Sequence, residues 1–228
     1  MKYWAVIPAA GIGTRMASEI PKQYLEIAGK TILEHTLDRF FNHSKIAGVV
    51  LAISPHDQYW QQLNIRSEKT LIMAQGGAER CHSVLSALQI LEDHADHQDW
   101  VLVHDAARPC LRSEDIDKLI NEVADHKVGG LLAAPVRDTM KRGADNIVTE
   151  TVERTGLWHA LTPQMFRLSD LKSALENTLG KGLVVTDEAQ AMESMNKMPM
   201  LIEGHVDNIK ITRPQDLELA AHYLENIK

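Results

Sequence analysis

The chain has 228 residues, 44% of them apolar and 24% charged, with a formal net charge of −7. This suits a soluble globular protein with one well-buried α/β core. The acidic balance argues against a chain that coats nucleic acid or an anionic membrane, yet a few cations can still converge on one small anion. Cys81 and Cys110 are the only cysteines and form no CxxC or zinc-ligand spacing. Both are expected as buried, reduced thiols, which fits a cytoplasmic protein. The N-terminus reads as a strand and not as a signal peptide, and no apolar run approaches the roughly 20 residues of a membrane span.

In chain order, the short apolar runs YWAVI (3–7), IAGVVLAI (46–53), LIMA (71–74), WVLVH (100–104) and LLAAPV (131–136) have the look of strands buried on both faces. Between them lie amphipathic helices with start signals. Thr31 and Glu34 make a capping box before a stripe of Ile32, Leu33, Leu37 and Phe40. Ser54-Pro55 reads as an N-cap followed by proline at a first helical position. Glu79 to Leu91 sets Val84, Leu85, Leu88 and Leu91 on one face, and Ser113 caps a segment carrying Ile116, Leu119, Ile120 and Val123. The alternation predicts a doubly wound, mostly parallel sheet, whose ligands bind beyond the carboxyl ends of the strands.

Residues 137–156 break this pattern: they are polar, with Arg-Gly-Ala-Asp as a turn signal and an alternating IVTETVE. They are expected to form a β-hairpin arm protruding from a single domain spanning 1–228. A lone hairpin buries little, so the arm is expected to pack on a second subunit.

Three loops fall at the ligand-binding edge. In PAAGIGTRM (8–16), Ala9, Ala10, Gly11 and Gly13 are small enough for backbone N–H groups to approach a ligand. No Gly-Lys-Ser/Thr follows, so this is not a Walker loop, and Met16 stands where a dinucleotide fingerprint needs glycine. Arg15 and Lys22 could converge on a triphosphate and neutralise charge at an attacked phosphorus. In GGAERCHS (76–83), Ser83 falls in the first turn of a helix, and Arg80 could reach phosphate or brace the loop. In VHDAARP (103–109), Asp105 closes a buried strand, where a carboxylate needs a partner: a metal such as Mg²⁺, or Arg108. Farther on, HVDNIKITRPQD (205–216) offers Asp207 as a second carboxylate, with Lys210 and Arg213 as cations. His94 and His97 in EDHADHQD (92–99) read as a solvated helix end, and Met192, Met195, Met198 and Met200 as core filler or sheet-edge cover.

PAAGIGTRM, PKQY, the Gly76–Ser83 loop, VHDAARP, the arm ending in ERT, LTPQ and DNIKITRP occur in this order over nearly the whole chain. Together they resemble the 2-C-methyl-D-erythritol 4-phosphate cytidylyltransferases of non-mevalonate isoprenoid synthesis. The first motif alone marks only the wider nucleotidyltransferase superfamily. The resemblance implies a Rossmann-like nucleotidyltransferase fold and a homodimer clasped by the arm. It implies attack of methylerythritol phosphate on the α-phosphorus of CTP, with Mg²⁺ or another divalent cation. Arg15, Lys22, Arg154 and Lys210 would be catalytic. Ala9, Ala10, Gly11, Gly13, Gly77, Arg80, Ser83 and Ala106 would bind the nucleotide. Arg108, Arg154, Thr162 and Lys210 would bind the acceptor, with Arg154 possible in trans, and Asp105 and Asp207 would hold the metal. Ala78 departs from the acidic residue that relatives often carry, so one contact near the nucleotide is not carried over. The nucleophile is already an anion, so His104 and His159 are assigned no proton transfer. Competing readings are a pentitol phosphate acceptor, a sugar-1-phosphate nucleotidyltransferase and a nucleotide sensor without activity.

Overall fold

The computed structural model describes residues 1–11 and 20–227, so Gly13 and Arg15 lie outside the described residues. Its first half runs β1 (Tyr3–Pro8), a short ribbon of β2 (Glu26–Ile27) and β3 (Lys30–Thr31), α1 (Ile32–Phe41), β4 (Ile46–Ile53), β5 (Thr70–Gln75), α2 (Arg80–Leu91), β6 (Trp100–Val103) and α3 (Ser113–Val123). The second half runs β7 (Gly129–Pro135), β8 (Met140–Ala144), β9 (Ile147–Val152), β10 (Trp158–Arg167), α4 (Leu168–Gly180), α5 (Glu188–Glu193), β11 (Met200–Glu203) and α6 (Gln215–Asn226).

Among the described residues, seven strands form one sheet in the order β11-β7-β10-β6-β1-β4-β5. β1 pairs in parallel with β4 on one side and β6 on the other. The chain thus winds outward through β4 and β5 and returns to the opposite flank of β1. That reversal is the topological switch point where open α/β sheets open a ligand crevice.

Alternate residues of the strands feed two cores. Ala5, Ile7, Val49 and Leu51 meet Leu33, Leu37 and Phe40 of α1 and Ile116, Leu119 and Ile120 of α3. Trp4, Val6, Val50 and Ala52 meet Val84, Leu88 and Leu91 of α2, with Leu171 and Leu175 of α4. Burial on both faces is why these strands read as continuous apolar runs. The Thr31–Glu34 capping box forms as expected: Thr31 N donates to Glu34 Oε2 at 2.7 Å, and Glu34 N to Thr31 Oγ1 at 3.2 Å.

Four local expectations are corrected. Ser54-Pro55 opens no α-helix: Asp57 Oδ1 accepts from the backbone N–H of both Tyr59 and Trp60 at 2.9 Å, and only a 3₁₀ turn at Trp60–Gln62 follows. Such local side-chain bonds compete with the helix ladder. The hairpin of β8 and β9 turns at Asp145-Asn146 (φ 51° and 64°), beyond Gly143, which sits in the ladder at a register shift. Asp and Asn tolerate the left-handed pair of conformations that a tight hairpin turn needs. Ser113 is the first residue of α3 and not its cap. Asp99, at the end of the stretch read as solvated, is buried and accepts from Lys2 N at 2.7 Å, while His94 and His97 are exposed. Cys81 and Cys110 are free and buried. Met192 lies in the core and Met198 is exposed.

β10 runs antiparallel between β6 and β7, and its pairing with β7 is interrupted between Ala160 and Gln164. Pro163, which cannot donate to a ladder, lies in that interruption. Thr162, freed from the ladder, turns to the loop after β6. No helix of the described residues is long and apolar enough to cross a membrane.

Candidate active site

A cleft of about 300 Å³ opens at the switch point, beyond the carboxyl ends of β1 and β6. Its walls include Ala9, Ala10 and Gly11 after β1, then Lys22, Gly77 to Arg80 with Ser83, Asp105 and Ala106, and finally Lys210. The walls are fixed by backbone bonds to neighbouring strands: Ala9 N donates to Ala52 O and Gly76 N to Ile53 O, each at 2.7 Å. At Gly76 a Cβ would overlap the Cβ of Ala10 and stand 3.0 Å from Ile53 O, so the two glycine-bearing loops touch there. Gln23, nearly buried, donates from Nε2 to Ala9 O at 2.8 Å and ties the segment after the cradle back to it. Lys22 Nζ donates to Ile211 O at 3.1 Å.

A smaller pocket of about 170 Å³ adjoins the cleft, lined by Thr162, Arg108, Ala160, Gln164 and Asp187. Arg80, Asp105 and Lys210 line both spaces and so form the partition between them.

The partition is a charge cluster built on the buried Asp105, with Arg80 and Lys210 half-buried around it. Asp105 Oδ1 accepts from Arg80 Nε at 2.9 Å, while Oδ2 pairs with Lys210 Nζ at 2.9 Å and Arg108 Nε at 3.3 Å. Burial alone would raise the Asp105 carboxyl, but Arg80, Lys210 and Arg108 outweigh it and hold it far below the usual carboxylate range. Burial also works against the charge of Arg80, and Glu188 and Asp105 overcome that. Asp105 therefore stays ionised in any ordinary buffer.

The backbone of Asp105 is held as firmly as its side chain. Arg108 O can only accept, so His104 Nε2 carries the proton in their 3.0 Å bond. His104 Nδ1 then accepts from the Thr162 hydroxyl at 2.9 Å, and Thr162 Oγ1 accepts from Asp105 N at 3.2 Å. Burial lowers the His104 pKa to about 4, so the ring is neutral at physiological pH and cannot serve a substrate. With its proton spent on His104, Thr162 can offer a ligand only an acceptor lone pair.

Several sequence-predicted residues behave differently from one another. Ser83 lines the cleft, but its hydroxyl serves its own loop, accepting from Gly77 N at 3.0 Å and donating to Glu79 O at 3.3 Å. Asp207 lines neither space: Arg112 Nε donates to its Oδ2 at 2.9 Å, and its buried Oδ1 has no hydrogen-bond partner among the described residues. Arg154 is exposed in the connection between β9 and β10, where it donates to Arg137 O, and it too is absent from both linings. His159 is exposed.

Three further groups shape the site without having been singled out: Glu188, which lies in no motif, Gln164 in LTPQ and Asn208 in DNIKITRP. Glu188, 1% exposed, binds both terminal nitrogens of Arg80, and Gln164 accepts from Ala189 N at 2.8 Å, docking α5 on β10. Asn208 donates to Thr162 O at 2.7 Å and its own carbonyl accepts from Arg108 Nη1 at 2.6 Å. Only the N-cap Asp187, which accepts from Gln190 N at 2.9 Å, left a legible trace before the short α5.

An open α/β sheet with a small-residue cradle and converging cations at its switch point defines the class of nucleotidyltransferases. Comparison with known proteins narrows the class. The family model described as 2-C-methyl-D-erythritol 4-phosphate cytidylyltransferase matches residues 3–226. Proteins of that name from Pseudomonas putida and Photobacterium profundum are 56% and 50% identical; the alignments cover 95% and 98% of this chain and 93% and 96% of theirs. A solved Francisella tularensis 2-C-methyl-D-erythritol 4-phosphate cytidylyltransferase superposes with a TM-score of 0.86 at 38% identity, covering 98% of this chain and all of that one. Its Thermus thermophilus counterpart gives 0.77 at 28% identity, over 96% of this chain and 98% of its own. The chain belongs to the 2-C-methyl-D-erythritol 4-phosphate cytidylyltransferase family.

Proposed function

We infer that the chain transfers the cytidylyl group of CTP to 2-C-methyl-D-erythritol 4-phosphate. The products are 4-diphosphocytidyl-2-C-methyl-D-erythritol and pyrophosphate, and the step belongs to non-mevalonate isoprenoid synthesis. Family membership along residues 3–226 carries this reading. The cation-lined partition between a larger cleft and a smaller pocket supports it, because the reaction must bring two anions together.

CTP occupies the larger cleft. Its cytidine lies against Ala9, Ala10, Gly11, Gly77, Ser83 and Ala106, and its phosphates are assigned to Lys22 and, outside the described residues, to Gly13 and Arg15. Arg80 stands beside it mainly as a brace. The acceptor occupies the smaller pocket, with its phosphate on Lys210 and Arg108 and a hydroxyl donating to Thr162. A phosphate oxygen of the acceptor attacks the α-phosphorus, and the bond to the β-phosphate oxygen breaks as pyrophosphate leaves. No proton has to be removed from the nucleophile, which agrees with a neutral, buried His104. Arg15, Lys22 and Lys210 neutralise the charge gathered at the α-phosphorus.

Mg²⁺ suits this donor set in a limited way. Among the described residues no three His, Cys, Asp or Glu side chains gather to cage a metal. Mg²⁺ commonly takes one or two carboxylates and fills its shell with phosphate oxygens and water. Asp105 would supply one oxygen by releasing a cation; Asp207, paired with Arg112 and lining neither space, would have to move to supply a second. When bound, the ion would neutralise the triphosphate.

The chain is read as one domain, 1–228, with 137–156 as a dimerisation arm and a cytoplasmic location. The exposed apolar Ile147 and Val148 on β9 support a partner for the arm, and Arg154 at its base would reach the partner's acceptor pocket. Pyrophosphate release that needs CTP, Mg²⁺ and methylerythritol phosphate together tests the reading; release independent of the acceptor contradicts it.

A further inference from the structure

Glu188 lies outside every motif that pointed to the site, yet it is the most deeply buried carboxylate of the charge cluster. Its Oε1 accepts from Arg80 Nη1 at 2.5 Å and its Oε2 from Arg80 Nη2 at 3.1 Å. A carboxylate clamped on both terminal nitrogens fixes the plane and the roll of the guanidinium. With both ends held, Arg80 reaches Asp105 through Nε alone, on Oδ1. Asp105 Oδ2 is thereby left to Lys210 and Arg108. Stability does not call for this arrangement, since a buried ion pair can be exchanged for apolar side chains of similar volume at little or no cost.

We propose that Glu188 is a positioning residue for cytidylyl transfer: it restrains Arg80 to a single contact with Asp105 and so keeps Lys210 in the partition, facing the acceptor phosphate. Without it, the guanidinium fork turns and takes both oxygens of Asp105, the geometry that Arg and carboxylate prefer. Lys210 then loses its counter-ion and its place. The proposal rests on the reading of the smaller pocket as the acceptor site. Glu188 lines neither the cleft nor the smaller pocket, so it touches neither substrate and acts through Arg80.

The test compares wild type, Glu188→Gln and Glu188→Asp for pyrophosphate release and, separately, for CTP affinity by calorimetry. Misplacement of a positioning group by about 1 Å costs about 100-fold in rate. Glu188→Gln is expected to lose on the order of 10- to 100-fold in kcat/KM for methylerythritol phosphate. CTP affinity stays within about threefold in the same protein, because the cytidine-facing Gly77 and Ser83 are held by bonds of their own loop and not by Glu188. Glu188→Asp keeps the charge with a shorter reach and recovers part of the loss; where Glu188→Gln does not fold, it alone carries the comparison. Folded variants with unchanged kcat/KM for the acceptor, or with CTP affinity weakened as much as turnover, would overturn the proposal.

A second readout is independent of turnover. In protein labelled with ¹⁵N-arginine, clamped Arg80 gives separately resolved Nη–H signals in wild type that merge in Glu188→Gln. Merged signals in wild type would also overturn the proposal. Absence of turnover in wild type with methylerythritol phosphate would instead count against the acceptor reading, and the arginine signals would still judge the clamp.

Discussion

His104 should govern part of the acid sensitivity of this protein. It is fully buried, donates to Arg108 O, and accepts from Thr162, whose hydroxyl in turn holds the backbone N–H of Asp105. Burial is the main cause that lowers its pKa from 6.5 to about 4, and nearby Asp105 opposes this only in part. The folded pKa lies below the unfolded one, so as pH falls the unfolded chain takes up the proton first. Stability from the neutral ring is therefore complete above the unfolded value and drains away as pH falls toward the folded value. The 2.5-unit gap between the two values corresponds to about 3 kcal/mol. About 1 kcal/mol of it is lost by pH 5.5 and about 2 kcal/mol by pH 5. Urea unfolding followed by tryptophan fluorescence at pH 7, 5.5 and 5 measures this in wild type and in His104→Gln. The glutamine amide can donate to Arg108 O but does not titrate. The variant is expected to be less stable at pH 7 by about 1–2 kcal/mol, from the strained network, and to show a flatter dependence below pH 6.5. Parallel pH dependences in the two proteins would refute the reasoning.

Other substitutions probe the rest of the site. Arg15→Ala should lower kcat far more than it weakens CTP binding, because its charge is needed most at the transition state; equal losses in steady-state kinetics and calorimetry would remove it from that role. Arg154→Ala should mainly raise KM for the sugar phosphate. Mixing it with Lys22→Ala chains should restore activity in heterodimers if the arm works in trans, and no recovery after demonstrated subunit exchange would place Arg154 in its own subunit. Gly76→Ala forces a Cβ against Ala10 and within 3.0 Å of Ile53 O. It should cost about 1–3 kcal/mol and raise KM for CTP, and wild-type values for both would show that the two loops yield without consequence.

Much of the sheet was legible because burial on both faces leaves a run with few polar residues. The bounds of β4 follow directly from IAGVVLAI, and α1 from the Thr31–Glu34 box. β10 was not legible: its second half, PQMFR, is mostly buried but carries Gln164 and Arg167, and Pro163 and the unpaired residues around it hide the ladder. Ser54-Pro55 misled because the competing bonds come from Asp57, three residues on, and a cap signal carries no information about them. At the site, the glycines, arginines and carboxylates of the loops after β1, β5 and β6 could be named, since each loop ends a strand at the same edge. What they do to one another could not. That Arg80 braces, that the Thr162 hydroxyl already donates its hydrogen bond to His104, and that Glu188 stands 108 positions from the arginine it clamps are facts of packing across the sheet. A pattern along the chain does not hold them.

Cytidylyl transfer to methylerythritol phosphate is tested most directly by following wild-type protein with CTP, Mg²⁺ and equal amounts of methylerythritol phosphate and ribitol phosphate by ³¹P NMR. Pyrophosphate and a single new diphosphate, that of the cytidylylated methylerythritol, are the expected products. Cytidylylated ribitol as the main product, or CTP left intact beside both acceptors, would contradict this assignment.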